Sequence, residues 1–251
     1  MSDVTPRVAF IIPAKNEADS IEALLADLDQ ACRALEPYEI VYVDDGSSDD
    51  TQQRLVAAQA ERPHLRVARH ARSAGKSAAL RTGVRLARAP LVVTLDGDGQ
   101  NDPQFAPQMV AILEANPNVG LVAGQRLRRG DGLFKKWQSR IANSARKALL
   151  NDGTRDTACG LKAIRRDLFL NLPYFDTVHR FFPALVAREG YGVAHLDVVD
   201  RPRFAGTSHF GLLDRLLVGI PDLFGVWWLI RRRRRVPEVR ESGPKEVCRC
   251  C

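Results

Sequence analysis

Four short apolar runs separated by helix-length segments constrain this chain most. They are Val8-Ala9-Phe10-Ile11-Ile12, Glu39-Ile40-Val41-Tyr42-Val43, the stretch from Leu65 to Ala68, and Leu91-Val92-Val93-Thr94-Leu95. Runs this short, rich in β-branched residues and lacking polar alternation, read as strands buried on both faces, as in a parallel sheet. Between them lie helical patterns from Glu17 to about Leu35, from the Asp49 region to about Glu61, and from Gly75 to about Arg88. The first carries Ile21, Leu24, Leu25 and Leu28 on one face. A β-α-β-α-β-α-β order predicts an α/β fold, with a mostly parallel sheet and right-handed crossovers flanked by helices. Further on, a helix from beyond Pro103 to about Ala115 leads into a strand over Val119 to Ala123, ending at Gly124-Gln125-Arg126. A helix over about 133–150, another from His179 to about Glu189 and a strand over Val193 to Val198 complete the pattern.

In such a sheet the chemistry collects where the strands end. Leu91 to Leu95 runs into Asp96-Gly97-Asp98-Gly99-Gln100. Two carboxylates spaced i, i+2, with glycines that let backbone approach a ligand, suit a hard cation such as magnesium or manganese clamping a diphosphate. The plainer alternative is a polar turn. A second acidic turn, Asp44-Asp45-Gly46-Ser47-Ser48-Asp49, follows the second strand. Both turns fall on one sheet edge, and like charges brought together there call for a cation between them. Asp49 or Ser48 also suits the start of the next helix.

Arg72-Ser73-Ala74-Gly75-Lys76-Ser77 approaches the end of a phosphate-binding loop, but His70 stands where that loop needs glycine. No G-x-G-x-x-G follows the first strand. Nucleotide hydrolysis and nicotinamide cofactors are thereby excluded. Gly75 and Lys76 are left either facing a phosphate or as a helix start with a solvated lysine.

The net charge of +7 is largely one feature, the run Arg231 to Arg235. Without those five residues the chain has 32 basic against 30 acidic side chains, so no broad nucleic-acid surface is expected. Cys32, Cys159, Cys248, Cys250 and Cys251 form neither a zinc pattern nor a disulfide framework, which fits a reducing compartment. Cys159 reads as small-residue packing. The polar start, Met1 to Arg7, predicts no signal peptide.

Together, Pro13-Ala14-Lys15-Asn16-Glu17, Val43 to Asp49, Gly75-Lys76 and Asp96 to Gln100 resemble the family-2 inverting glycosyltransferases, specifically the polyprenyl-phosphate and dolichyl-phosphate mannosyltransferase-like enzymes. The resemblance covers roughly residues 7–211. It implies the Rossmann-like GT-A fold, a nucleotide-diphosphate sugar donor and a divalent metal, Mg2+ or Mn2+. It implies nucleoside contacts at Pro13, Lys15 and Glu17, base and ribose contacts at Val43 and Asp45, and the metal and diphosphate site at Asp96, Gly97, Asp98 and Gln100. Arg126 corresponds to an arginine near the phosphates. Arg201 to Gly211 resembles the loop that closes over the donor diphosphate, with Arg203 and Ser208 as phosphate partners. His209 and Phe210 depart from the family's lysine and tyrosine, and Lys15 departs from its tyrosine or small residue. Asp156 to Lys162 resembles the stretch before a Gly-Phe-Arg element.

Asp98 and Arg203 are thus the candidate catalytic groups. Asp156 joins them as general base only if the acceptor is a sugar hydroxyl, as in a glycan- or lipid-A-directed transferase. A polyprenyl phosphate acceptor is already an anion near neutral pH. A non-catalytic nucleotide-binding scaffold is the third alternative.

The stretch from Leu212 to Ile230 places Leu213, Leu216, Leu217, Ile220, Phe224, Trp227 and Trp228 at helical spacing, with Asp214, Arg215 and Asp222 near an opposite stripe. A spanning helix needs ~20 mostly apolar residues, and each buried Asp costs ~2.5–3.5 kcal/mol. Two aspartates, an arginine and Pro221 therefore favour an interfacial amphipathic helix, with the arginines on anionic headgroups. A core helix or dimer interface is the alternative, and a homo-oligomer stays open. The expected organisation is a GT-A domain over 1–211, a membrane-associated helix with the arginine run over 212–235 and a disordered tail over 236–251. The expected location is the cytosolic membrane face.

Overall fold

The computed structural model describes residues 5–127, 149–150, 152–202 and 212–233, and gives only the backbone course for 212–218. Arg203, Ser208, His209, Phe210, most of the 133–150 helix and the 236–251 tail lie outside the described residues.

Seven strands form one sheet: β1 (Val8–Ala14), β2 (Tyr38–Asp44), β3 (Leu65–Arg69), β4 (Leu91–Thr94), β5 (Val119–Arg126), β6 (Lys162–Arg165) and β7 (Gly192–Val198). Their order is β3-β2-β1-β4-β6-β5-β7. β1 pairs in parallel with β2 and β4, β2 with β3, and β5 with β7. Among the described strands only β6 runs the other way, pairing antiparallel with both β4 and β5. The expected α/β fold with a mostly parallel sheet is therefore observed.

Burial follows the period of two that a strand imposes. In β1, Val8, Phe10, Ile12 and Ala14 enter one core cluster, whereas Ala9 and Ile11 enter the other. The first face is covered by α1 (Ile21–Ala31), α2 (Thr51–Glu61) and α4 (Ala106–Ala115), through Leu24, Leu28, Leu55, Met109 and Leu113. The second is covered by α3 (Lys76–Leu86), α5 (Arg166–Asn171), α6 (Phe182–Arg188) and α7 (Leu212–Arg231), through Leu80, Val84, Phe169, Leu185 and Val226. α3 crosses β1 so closely that a Cβ on Gly83 would lie under 3.0 Å from the Ile11 side chain.

Two expectations are refined. The helix read from Glu17 to Leu35 is α1 alone, flanked by 3-10 turns at Ala18–Ser20 and Arg33–Leu35. β6 and α5 were not foreseen. Four residues, Lys-Ala-Ile-Arg, carry no usable period, and the open slot between β4 and β5 is what makes them a strand. The N-cap of α2 is Asp50, whose side chain makes no cap bond, while the expected Asp49 still accepts the Thr51 N–H through Oδ1 at 3.0 Å.

The described apolar side chains of α7, from Ile220 on, divide into two stripes rather than one. Leu223, Val226, Trp227 and Ile230 pack on the body, while Ile220, Phe224 and Trp228, four residues apart, are exposed. Asp222 accepts a hydrogen bond from Thr177 Oγ1, Arg188 Nε donates to Leu229 O at 3.0 Å, and Arg233 pairs with Glu189 at 3.4 Å. The arginines are not simply solvated: the Arg231 guanidinium lies 4.0 Å from the Trp227 ring centroid and that of Arg232 5.9 Å from Trp228. Among the described residues no helix is long and apolar enough to cross a membrane.

Candidate functional site

The two acidic turns flank the end of β1. Asp45 N donates to Ala14 O at 2.8 Å on one side. On the other, a Cβ on Gly97 would lie 3.0 Å from Pro13 O, so only glycine lets the Asp96–Gln100 turn seat there unshifted. That turn is also held by Ser20 Oγ donating to Gly97 O at 2.5 Å and Gln100 N donating to Asp98 Oδ1 at 3.1 Å. Gly99 supplies a left-handed φ of 73°. Asp96 N donates to Asn101 Oδ1 at 2.9 Å, and Arg201 N to Gln100 O at 2.8 Å, which ties the turn to the exit of β7.

The second acidic turn does not need a shared cation. Asp45 accepts four hydrogen bonds: His70 Nδ1 at 2.7 Å, Ser73 Oγ at 2.7 Å, Ala74 N at 2.9 Å and Gly75 N at 2.9 Å. Burial acts to raise its carboxyl pKa. The bonds from Ala74, Ser73, His70 and Gly75 outweigh that and hold it below the usual carboxylate range. Asp44 accepts from Ser47 N at 2.8 Å and lies 3.4 Å from Arg69 Nε. The expectation that a cation must join the two turns is thus corrected, because Arg69 at the end of β3 faces Asp44 and the β3–α3 connection hydrogen-bonds Asp45. The turns after β1 and β2 are stitched together through Asn16 N to Ser47 Oγ at 2.9 Å and Glu17 N to Thr51 Oγ1 at 3.0 Å. Lys15 is exposed beside them, whereas Pro13 is buried. The Val43 side chain is wholly in the core, so only its backbone can face a ligand.

The reversal of β6 brings its beginning, not its end, to this edge. Lys162 is opposite Thr94 of β4 and Ala123 of β5. The preceding segment runs along the rim: Gly160 O accepts from Thr94 Oγ1 at 2.7 Å, and Lys162 Nζ donates to Cys159 O. Gly160 is pressed against Asp96, and a Cβ there would lie under 3.0 Å from the carboxylate. Burial pushes the Lys162 ammonium down to about 8, with Lys76 adding repulsion and Cys159, Asp96 and Asp156 opposing. Cys159 is buried, and burial raises its thiol, in keeping with a packing role.

Lys76 is not a solvated helix-start lysine, because its ammonium pairs with Asp96 Oδ1. The next residue, Ser77, bonds through Oγ to His179 Nδ1 at 2.8 Å. Burial drives the His179 pKa well below 6.5, with Lys76, Lys162 and Arg180 adding repulsion.

Arg126, at the end of β5, forks onto Asp156 at 2.5 and 3.0 Å and reaches Asp200 at 3.1 Å. The expected phosphate partner is therefore engaged with carboxylates. Both Asp156 oxygens accept from Arg126, and Oδ1 also accepts from Ala158 N at 3.1 Å. Burial raises the Asp200 carboxyl against the pull of Arg126.

Sequence reasoning thus missed Lys162, Asp200 and the Ser77–His179 pair. The one signal available was that Leu161 and Lys162 depart mildly from the family's pattern in that stretch.

Among the described residues no three His, Cys, Asp or Glu side chains are grouped to hold a metal ion. Asp96, 26 % exposed, and Asp98, 8 % exposed, form with Gln100 a small oxygen set on one turn. Such a set fits a magnesium-like ion that takes one or two carboxylates and fills its shell with water and substrate phosphates.

The model of the family "Glycosyl transferase family 2" matches residues 9–172. An undecaprenyl-phosphate 4-deoxy-4-formamido-L-arabinose transferase of Serratia proteamaculans is 34% identical over 218 residues, covering 85% of this chain and 66% of that protein. A dodecaprenyl-phosphate galacturonate synthase of Rhizobium johnstonii is 33% identical over 239 residues, covering 91% and 68%. The chain spans about two thirds of the length of these relatives. Among solved structures, glucosyl-3-phosphoglycerate synthase of Mycobacterium tuberculosis, crystallised with Mn2+, uridine diphosphate and phosphoglyceric acid, superposes with a TM-score of 0.68. The match covers 92% of this chain and 80% of that one at 20% identity, a likeness of fold.

Proposed function

Because the chain belongs to glycosyl transferase family 2, we propose that it moves a sugar, with inversion, from a nucleotide-diphosphate sugar to a polyprenyl phosphate at the cytosolic membrane surface. The observation that carries this reading is the mixed-charge rim. The Asp96–Asp98 turn ends β4 beside the Lys76 ammonium, with Lys162 starting β6 and Arg126 ending β5 on the same edge. In this reading Asp96, Asp98 and Gln100 hold Mg2+ or Mn2+, which when bound neutralises charge on the departing diphosphate. Pro13, Lys15, Glu17, the Val43 backbone and Asp45 border the nucleoside, and Arg203 and Ser208 complete the phosphate contacts.

A phosphate acceptor needs no protein base, since its second pKa lies near 6. Asp156 fits that chemistry, its oxygens being engaged by Arg126 and Ala158. Lys76 and Lys162 place positive charge beside the turn, where a leaving group gains negative charge. The exposed stripe Ile220, Phe224 and Trp228, followed by Arg231 and Arg232, suits the boundary of an anionic membrane. The activities of the formamido-arabinose transferase and galacturonate synthase relatives are of the same kind.

The test supplies radiolabelled nucleotide sugars, undecaprenyl phosphate and Mn2+ or Mg2+, and counts label in the organic phase. Label should appear with one sugar, depend on the metal and vanish in Asp98→Ala with its melting temperature unchanged. Label passing only to a free glycan or lipid A would overturn the phosphate acceptor. Equal turnover in Asp98→Ala would remove Asp98 from the site, and no label from any sugar while nucleotide still binds would favour a scaffold.

A further inference from the structure

Asp96 already has a cation. The Lys76 ammonium pairs with Asp96 Oδ1, and both side chains are about one-third exposed or less. Lys76 does not reach this place as a loose surface chain, because three contacts fix the first turn of α3. Asp45 accepts the Ala74 and Gly75 N–H groups at 2.9 Å each, and Ser77 Oγ meets His179 Nδ1 at 2.8 Å. On the opposite side Gly160 is pressed against the Asp96 carboxylate, so that carboxylate cannot turn inward, only toward solvent.

Resting on the proposed function, we propose that Lys76 is a built-in counter-cation that a divalent metal must displace from Asp96, so that metal and diphosphate load together rather than metal first. A divalent ion arriving alone meets a carboxylate already paired, with a second ammonium, Lys162, on the same rim. A diphosphate arriving with the ion brings its own negative charge and gives the displaced Lys76 a new partner. Metal and diphosphate affinities are then positively coupled, and the coupling is reciprocal. Lys76 is the residue that sets its size.

The test measures free Mn2+ by electron paramagnetic resonance in the wild-type chain and in Lys76→Met, Lys76→Gln and Lys76→Arg, without nucleotide. Met and Gln should bind Mn2+ roughly 3- to 10-fold more tightly than wild type, and Arg should match wild type. Calorimetric titration of uridine diphosphate and guanosine diphosphate, with and without saturating Mn2+, should show a smaller metal enhancement in Met and Gln than in wild type. Thermal melting checks that each variant is folded, and the two neutral replacements guard against one of them failing. Unchanged or weaker Mn2+ binding in the folded neutral variant, while wild type binds Mn2+ with nucleotide, overturns this inference and leaves the function standing. No Mn2+ binding by wild type even with nucleotide overturns both.

Discussion

Gly160→Ala separates the site from the fold. The new methyl would lie under 3.0 Å from Cγ and both oxygens of Asp96, and no other atom is as near. Gly160 is not among the residues with a left-handed φ, so the backbone accepts alanine and the whole effect is this collision. Overpacking costs about 1–3 kcal/mol in general. Here the obstructing group is a side chain 26 % exposed that can swing toward solvent, so about 1 kcal/mol is expected, or roughly 2–4 °C in melting temperature. The swung carboxylate leaves Lys76 and the cation site, and losing one group that stabilises transition-state charge costs about 100- to 1000-fold in rate. Gly153→Ala is the matched control: φ is 66° with nothing within 4 Å, so it costs about 1–2 kcal/mol through backbone strain and should leave the rate alone. The assay is sugar transfer to polyprenyl phosphate, read beside thermal melting of both variants. If Gly160→Ala keeps its rate within about 3-fold, or both variants lose rate equally, the placement of Asp96 against Gly160 is not what the chemistry requires.

Three further outcomes follow from the same contacts. Arg126→Met strands Asp156 and Asp200 without their shared guanidinium, so urea denaturation should show a loss of about 3–5 kcal/mol, with Arg126→Lys falling between it and wild type. His179 is held neutral with its pKa well below 6.5, so the unfolded chain takes up a proton the fold refuses. The His179 contribution to stability should be flat above pH 6.5 and fall below it by at most about 1.4 kcal/mol per pH unit, a component of the slope that denaturation of His179→Gln should lack. Phe224→Ser with Trp228→Ser should release the chain from anionic vesicles in sedimentation without changing its melting temperature, whereas Trp227→Ser, which removes a ring packed on the body, should lower it. Vesicle binding unchanged in the double variant would end the membrane reading of α7.

The first half of the chain was legible because its signals are local. Val8 to Ile12, Glu39 to Val43 and Leu91 to Leu95 are apolar enough to be strands wherever they lie, and parallel connection order follows from the helices between them. The Asp96–Gln100 turn and the family resemblance were read from contiguous residues for the same reason. The partners of those residues were not legible, because each is fixed by chain far away in sequence. Lys76 meets Asp96 only because α3 packs across β1, and His70 reaches Asp45 only because β3 lies beside β2. Lys162 joins the rim because a four-residue strand fills the slot between β4 and β5 in the reverse sense. Helical spacing alone could not tell which apolar stripe of α7 docks, since Trp227 and Trp228 are adjacent in sequence yet face the body and the outside. Local propensity and hydrophobic period thus determined the elements and the acidic turn. The countercharges around that turn were decided by packing, since an ion pair between distant residues exists only once the layers bring them within contact.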